Sequence, residues 1–142
     1  MRIKIPLQII ELEPDNYHIM VSSVFSDGNS VNWIIDTGAS KTVFEKKMIK
    51  YYAKSEGESD EIHTAGIGEQ AMEVTLAELK SMSFGKLKTE NQRVALLDLS
   101  HINELYSKVI DKKISGLLGG DFLMRYKAVI DYKKQVLILN MK

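Results

Sequence analysis

The segment that most constrains this chain is Trp33-Ile34-Ile35-Asp36-Thr37-Gly38-Ala39-Ser40. Its apolar, β-branched start reads as a buried strand. That strand drives a carboxylate into a turn built from small residues. Apolar neighbours disfavour ionisation of such a group, whereas N–H and hydroxyl donors favour it. Thr37, Gly38 and Ser40 can supply those donors, and Gly38 lets other backbone approach closely. Asp-Thr-Gly alone also fits an aspartate that merely caps a turn. The full string, with its apolar lead and small-residue tail, points to a functional loop.

The remainder of the chain reads as short strands separated by turn signals. At 142 residues it is long enough for one domain, residues 1–142, with a core that needs no staples. Zero cysteines exclude disulfides, thiolate zinc sites and cysteine nucleophiles. Nineteen basic residues balance nineteen acidic ones, so no basic field favours nucleic acid or an anionic membrane. No apolar run reaches membrane-spanning length, and the first residues lack a leader pattern, so a cytoplasmic location is expected. His18, His63 and His101 lack metal-ligand spacing, and neither a metal nor another cofactor is expected.

Strands are expected over Ile3–Leu12, Tyr17–Phe25, Val31–Ile35 and Lys41–Phe44. Ser26-Asp27-Gly28-Asn29 supplies a hairpin turn. Met48, Tyr51 and Tyr52 suggest a helix over Glu45–Lys54, followed by an acidic loop to Asp60. Glu61–Val74 reads as a strand pair around Gly66-Ile67-Gly68. Leu76–Phe84 and Leu87–Leu97 read as another, joined at Gly85. Ile102, Leu105, Tyr106, Val109 and Ile110 share a helical face within 98–113, with Asp98 or Ser100 as N-cap. The stretch Ile114–Gly120, a short helix near Asp121–Tyr126 and a hairpin of Ala128–Tyr132 with Gln135–Asn140 complete the chain. The tally is mainly β, with two or three short helices.

In Asp36-Thr37-Gly38-Ala39-Ser40 the sequence resembles the retropepsin-like aspartic proteases of bacterial type, single-lobed relatives of pepsin. A second segment, Ile114-Ser115-Gly116-Leu117-Leu118-Gly119-Gly120-Asp121-Phe122-Leu123, resembles the apolar-apolar-Gly strand that crosses beside the catalytic loop in that family. The resemblance implies a closed β-barrel of the acid protease type and Asp36 as catalytic carboxylate. It further implies Thr37, Gly38, Ala39 and Ser40 as the supporting loop, and Leu117, Leu118 and Gly119 as its backing. Glu61–Val74 would be the flap, with Gly66, Ile67 and Gly68 at a tip that binds substrate. The helix within 98–113 is extra relative to compact viral members.

Such chemistry needs two carboxylates sharing one proton across a water, and Asp-Thr-Gly occurs once here. The resemblance therefore implies a symmetric homodimer acting on an extended peptide or protein substrate. Two other readings remain: a dimeric module that binds peptides without cleaving them, and a nucleotide-phosphate site at Asp36-x-Gly38-x-Ser40. The second demands another large domain, for which the chain is too short.

Overall fold

The computed structural model describes residues 1–62 and 72–141, the side chains of 56–62 and 72–74 excepted. Gly66, Ile67 and Gly68, expected at the flap tip, lie outside the described residues. The elements run β1 (Arg2–Pro6), β2 (Gln8–Glu13), β3 (Asn16–Phe25), β4 (Ser30–Ile35) and β5 (Val43–Glu45). There follow β6 (Tyr52–Ile62), β7 (Met72–Leu79), β8 (Met82–Phe84), β9 (Leu87–Thr89) and β10 (Arg93–Leu97). The chain ends with α1 (Ser100–Tyr106), β11 (Ile114–Leu118), α2 (Gly120–Arg125), β12 (Val129–Asp131) and β13 (Val136–Asn140). The fold is mainly β with two short helices, as the sequence leads one to expect.

One sheet has the order β6-β7-β10-β5-β11-β4-β3-β8-β9, with β2 also paired to β3, and it curls around the core. A second sheet has the order β1-β13-β12. Most pairings are antiparallel, but β4 with β11 and β5 with β10 run parallel. In β4 and β11 the register is Ile34↔Leu117 and Ile35↔Leu118. Parallel strands in register finish side by side, so the loops leaving β4 and β11 are forced together. This is what builds the site.

Strand alternation sorts the side chains of β4. Trp33 and Ile35 point into the main core with Phe44, Phe84, Phe122 and Leu118. Ile34 points the other way, into a cluster with Ile10, Met20, Tyr106 and Ile114. Trp33 is fully buried, so its indole N–H needs an acceptor; it donates to Ser23 Oγ at 2.8 Å. Its ring packs on Phe44 and Phe84, with centroids 5.6 and 6.2 Å away.

Four expectations are revised. The long first strand breaks at Leu7, so β1 joins the small sheet and β2 the large one. The helix at 45–54 is replaced by a single 3-10 turn, Ile49–Tyr51, that leads directly into β6. Tertiary contacts override its weak helical period. Tyr51 stacks on Phe25 at 4.2 Å and donates its hydroxyl to Asp27 in the β3–β4 turn. Glu45 is buried, its two oxygens accepting the N–H groups of Leu99 and Lys47. The acidic stretch after it is strand, not loop, because it pairs with β7 out to Ile62↔Met72 around a bulge between Lys54 and Ser59. Finally, the helix within 98–113 stops at Tyr106. Leu105 and Val109 are exposed, which leaves too narrow an apolar stripe to continue it.

The expected pair on either side of Gly85 forms in two pieces. β8 pairs with β9 around Gly85, whose φ of +56° suits glycine, while β7 pairs with β10.

Gly116 shows how tightly the site-bearing strand is packed. A Cβ there would lie 2.4 Å from the Trp33 ring and 2.5 Å from the Val43 carbonyl oxygen. Neither neighbour can yield, one being a fully buried ring and the other backbone. Gly116→Ala is expected to lower stability by at least about 1–3 kcal/mol, the usual cost of overpacking. A lower denaturant midpoint at unchanged slope checks this.

Candidate active site

Two loops meet where β4 and β11 end, and backbone hydrogen bonds lace them together. Asp36 N–H donates to the Leu118 carbonyl at 2.9 Å, which carries the parallel ladder one residue past β4. Gly120 N–H donates to the Ala39 carbonyl at 2.7 Å. The first loop closes on itself through Ala39 N–H to the Asp36 carbonyl at 3.1 Å. Gly38 N–H donates to Asp36 Oδ1 at 3.1 Å, fixing the carboxylate from behind. Asp36 is half-buried, while Thr37, Gly38 and Ser40 stand at the surface.

Side chains add a second lacing. Gly119 N–H donates to Thr42 Oγ1 at 3.1 Å, and that hydroxyl donates to Asp121 Oδ1 at 2.7 Å. The same oxygen accepts Thr42 N–H at 2.9 Å and Phe122 N–H at 2.8 Å. Thr42 is fully buried, and its single hydroxyl serves as acceptor and donor at once. A charged acceptor strengthens the three bonds that end on Asp121. Gly119 itself admits no side chain, since a Cβ would lie 2.7–2.9 Å from backbone atoms of Lys41 and Ala39.

On the Ile34 side of β4 stands Tyr106 of α1. Tyr106 is buried, and its hydroxyl lies 2.9 Å from His18 Nδ1, the two rings meeting edge-on. Its phenol is pushed up to about 12, first by burial and then by the negative charge of Asp36. The carboxylate's field thus reaches Tyr106.

The structure brings together Asp36, Thr37, Gly38, Ala39 and Ser40 with Leu117, Leu118 and Gly119, the two segments singled out in the sequence. The donors differ from expectation. Among the hydrogen bonds described for Asp36 Oδ1 the donor is Gly38 N–H, and the hydroxyl that does most bracing is Thr42. Sequence reasoning missed Thr42, Asp121 and Tyr106. Thr42 closes the small-residue string and Asp121 opens a short helix right after Gly119-Gly120, so both carried a signal. Tyr106 carried none beyond its place on an apolar face.

The family described as aspartyl protease matches residues 21–122, from within β3 into α2, and the chain belongs to that family. The fold resembles the crystal structure of a retropepsin-like aspartic protease from Rickettsia conorii, with a TM-score of 0.52 and 20% identity. That match covers 98% of this chain and 90% of the other. The crystal structure of edgp gives a TM-score of 0.54 at 10% identity, covering 99% of this chain and 46% of that one. No curated protein sequence matches significantly.

Replacing Thr42 by valine keeps its shape but orphans the buried Gly119 N–H and removes a donor from Asp121. Thr42→Val is expected to cost about 1–3 kcal/mol, the penalty for an unsatisfied buried group, while Thr42→Ser restores most of it. Chemical denaturation of both variants checks this.

Proposed function

We propose that the chain, as one domain spanning residues 1–142, is an aspartic endopeptidase working as a symmetric homodimer. The observation that carries this reading is the single Asp36-Thr37-Gly38 on a laced, backbone-locked loop in an aspartyl protease fold. A second such carboxylate is missing from the sequence, so a twofold partner is its natural source. The coverage of edgp supports this, because two copies of this chain amount to about one chain of that length.

Each protomer contributes one Asp36. Two carboxylates placed close together cannot both be ionised, so the pair holds one proton over a bound water. The ionised member takes a proton from the water as it attacks the scissile carbonyl. The protonated member donates to the carbonyl oxygen, giving a neutral gem-diol. The carboxyl that took the water's proton then passes it to the leaving nitrogen, while the other carboxylate takes back a hydroxyl proton as the C–N bond breaks, so the pair again holds one proton. Gly38 N–H keeps one carboxylate oxygen aimed, leaving the other face of the group for water. Thr37, exposed on the same loop, braces the partner loop in this reading. Gly119, Leu117 and Leu118 back the site from the second loop. Glu61–Val74 is the flap, pairing as a strand with an extended peptide.

Asp36→Asn is expected to abolish cleavage of a peptide mixture while leaving the thermal transition nearly unchanged; retained cleavage overturns the assignment. A mixing experiment addresses the dimer. If every site needs Asp36 from both subunits, a tenfold excess of Asp36→Asn chains lowers activity per wild-type chain about tenfold after random exchange. Activity that ignores the mutant chains would show a site complete within one protomer.

A further inference from the structure

The face of β4 that carries Asp36 is already partly occupied. Alternation places Ile34 on that face, and Leu117 is its register partner on β11. These two are the apolar ground next to the carboxylate. Ile34 nevertheless is only 5% exposed, because Tyr106 from α1 packs in its cluster. Leu117 is half-buried, with Ile102 of the same helix packed against the same clusters. A short helix therefore lies over the surface beside the carboxylate, and Tyr106 is its only fully buried side chain.

Tyr106 is held from two directions. Its hydroxyl is paired with His18 of β3 at 2.9 Å. Asn103, three residues earlier, fastens α1 to the start of β11: its Nδ2 donates to the Ile114 carbonyl at 2.9 Å, and its Oδ1 accepts Ile114 N–H at 2.7 Å. A ring fixed at both its tip and its base acts as a wall.

We propose that Tyr106, anchored by His18, is the specificity-determining residue of this site, restricting the substrate residues that flank the scissile bond to small side chains such as glycine, alanine and serine. The inference rests on the peptidase reading above. An extended peptide sends alternate side chains into the surface on which it lies. One beside the scissile bond must settle against Ile34 and Leu117, where the phenol ring stands. The twofold of the dimer repeats the arrangement, so both flanking positions meet a Tyr106.

The test is a comparison of kcat/KM for short peptides that differ only at the central pair of residues, with Asp36→Asn as the blank. Wild type is expected to favour alanine or serine over leucine or phenylalanine by at least about tenfold, the scale on which a closed apolar site rejects extra methylenes. Tyr106→Ala should reverse that ratio by a similar factor. Tyr106→Leu, which keeps helix propensity and apolar packing, carries the same expectation if the alanine variant does not fold. Tyr106→Phe retains the ring and should retain the preference. A purely structural role would slow all peptides alike and leave the ratio fixed, and that result overturns the proposal while sparing the peptidase reading. Wild type preferring large residues overturns it as well. If wild type cleaves no peptide, the peptidase reading fails and this inference falls with it.

Discussion

Everything at this site depends on two strands running in the same direction. In an otherwise mostly antiparallel sheet, β4 and β11 are parallel and in register, so their ends emerge together. The two loops that follow have no choice but to touch. Hydrogen bonds then convert contact into fixed geometry: Asp36 to Leu118, Gly120 to Ala39, and the relay from Gly119 through Thr42 to Asp121. Glycine at 116 and 119 is a requirement of that closeness, because the space a side chain needs is filled by a tryptophan ring or by backbone. A carboxylate mounted this way, with Gly38 N–H on one oxygen, has little freedom to reorient.

Much of this is legible in the sequence. An apolar strand ending in Asp-Thr-Gly-Ala-Ser, matched by a later Gly-Leu-Leu-Gly-Gly, marks both loops because small residues have a strong local meaning there. The hairpins at Gly28 and Gly85 are legible for the same reason, both glycines having positive φ. What sequence reasoning misplaces depends on distant partners. Tyr51 and Tyr52 look helical by spacing, yet stacking on Phe25 and packing against Phe44 hold them in a turn and a strand. The acidic run of β6 resembles a loop by composition, and only its pairing with β7 makes it a strand. The roles of Thr42 and Asp121 stay hidden because each acts on the other across a separation of 79 residues. The flap tip expected at Gly66–Gly68 lies outside the described residues.

The two faces of β4 divide the labour of the molecule. Trp33 and Ile35 anchor the strand in an aromatic core with Phe44, Phe84 and Phe122, and even the buried indole N–H has a partner in Ser23. Ile34 and Asp36 look the opposite way, toward α1. Both sides of the strand are therefore packed, the larger cluster on one and the smaller on the side of the carboxylate, with a single main chain between them. Substitutions on the core side are felt at the carboxylate as displaced backbone, and α1 is coupled to the same strands through Asn103 on Ile114 and Tyr106 on Ile34.

The crowding around Gly119 limits how such a protein can diversify. Where main chain packs on main chain there is no room for novelty, so this pair of loops is frozen into a form that any descendant must inherit. More latitude belongs to the turn that follows α1, where Lys108, Val109, Asp111 and Lys112 face solvent and can be recut without touching the loops beneath.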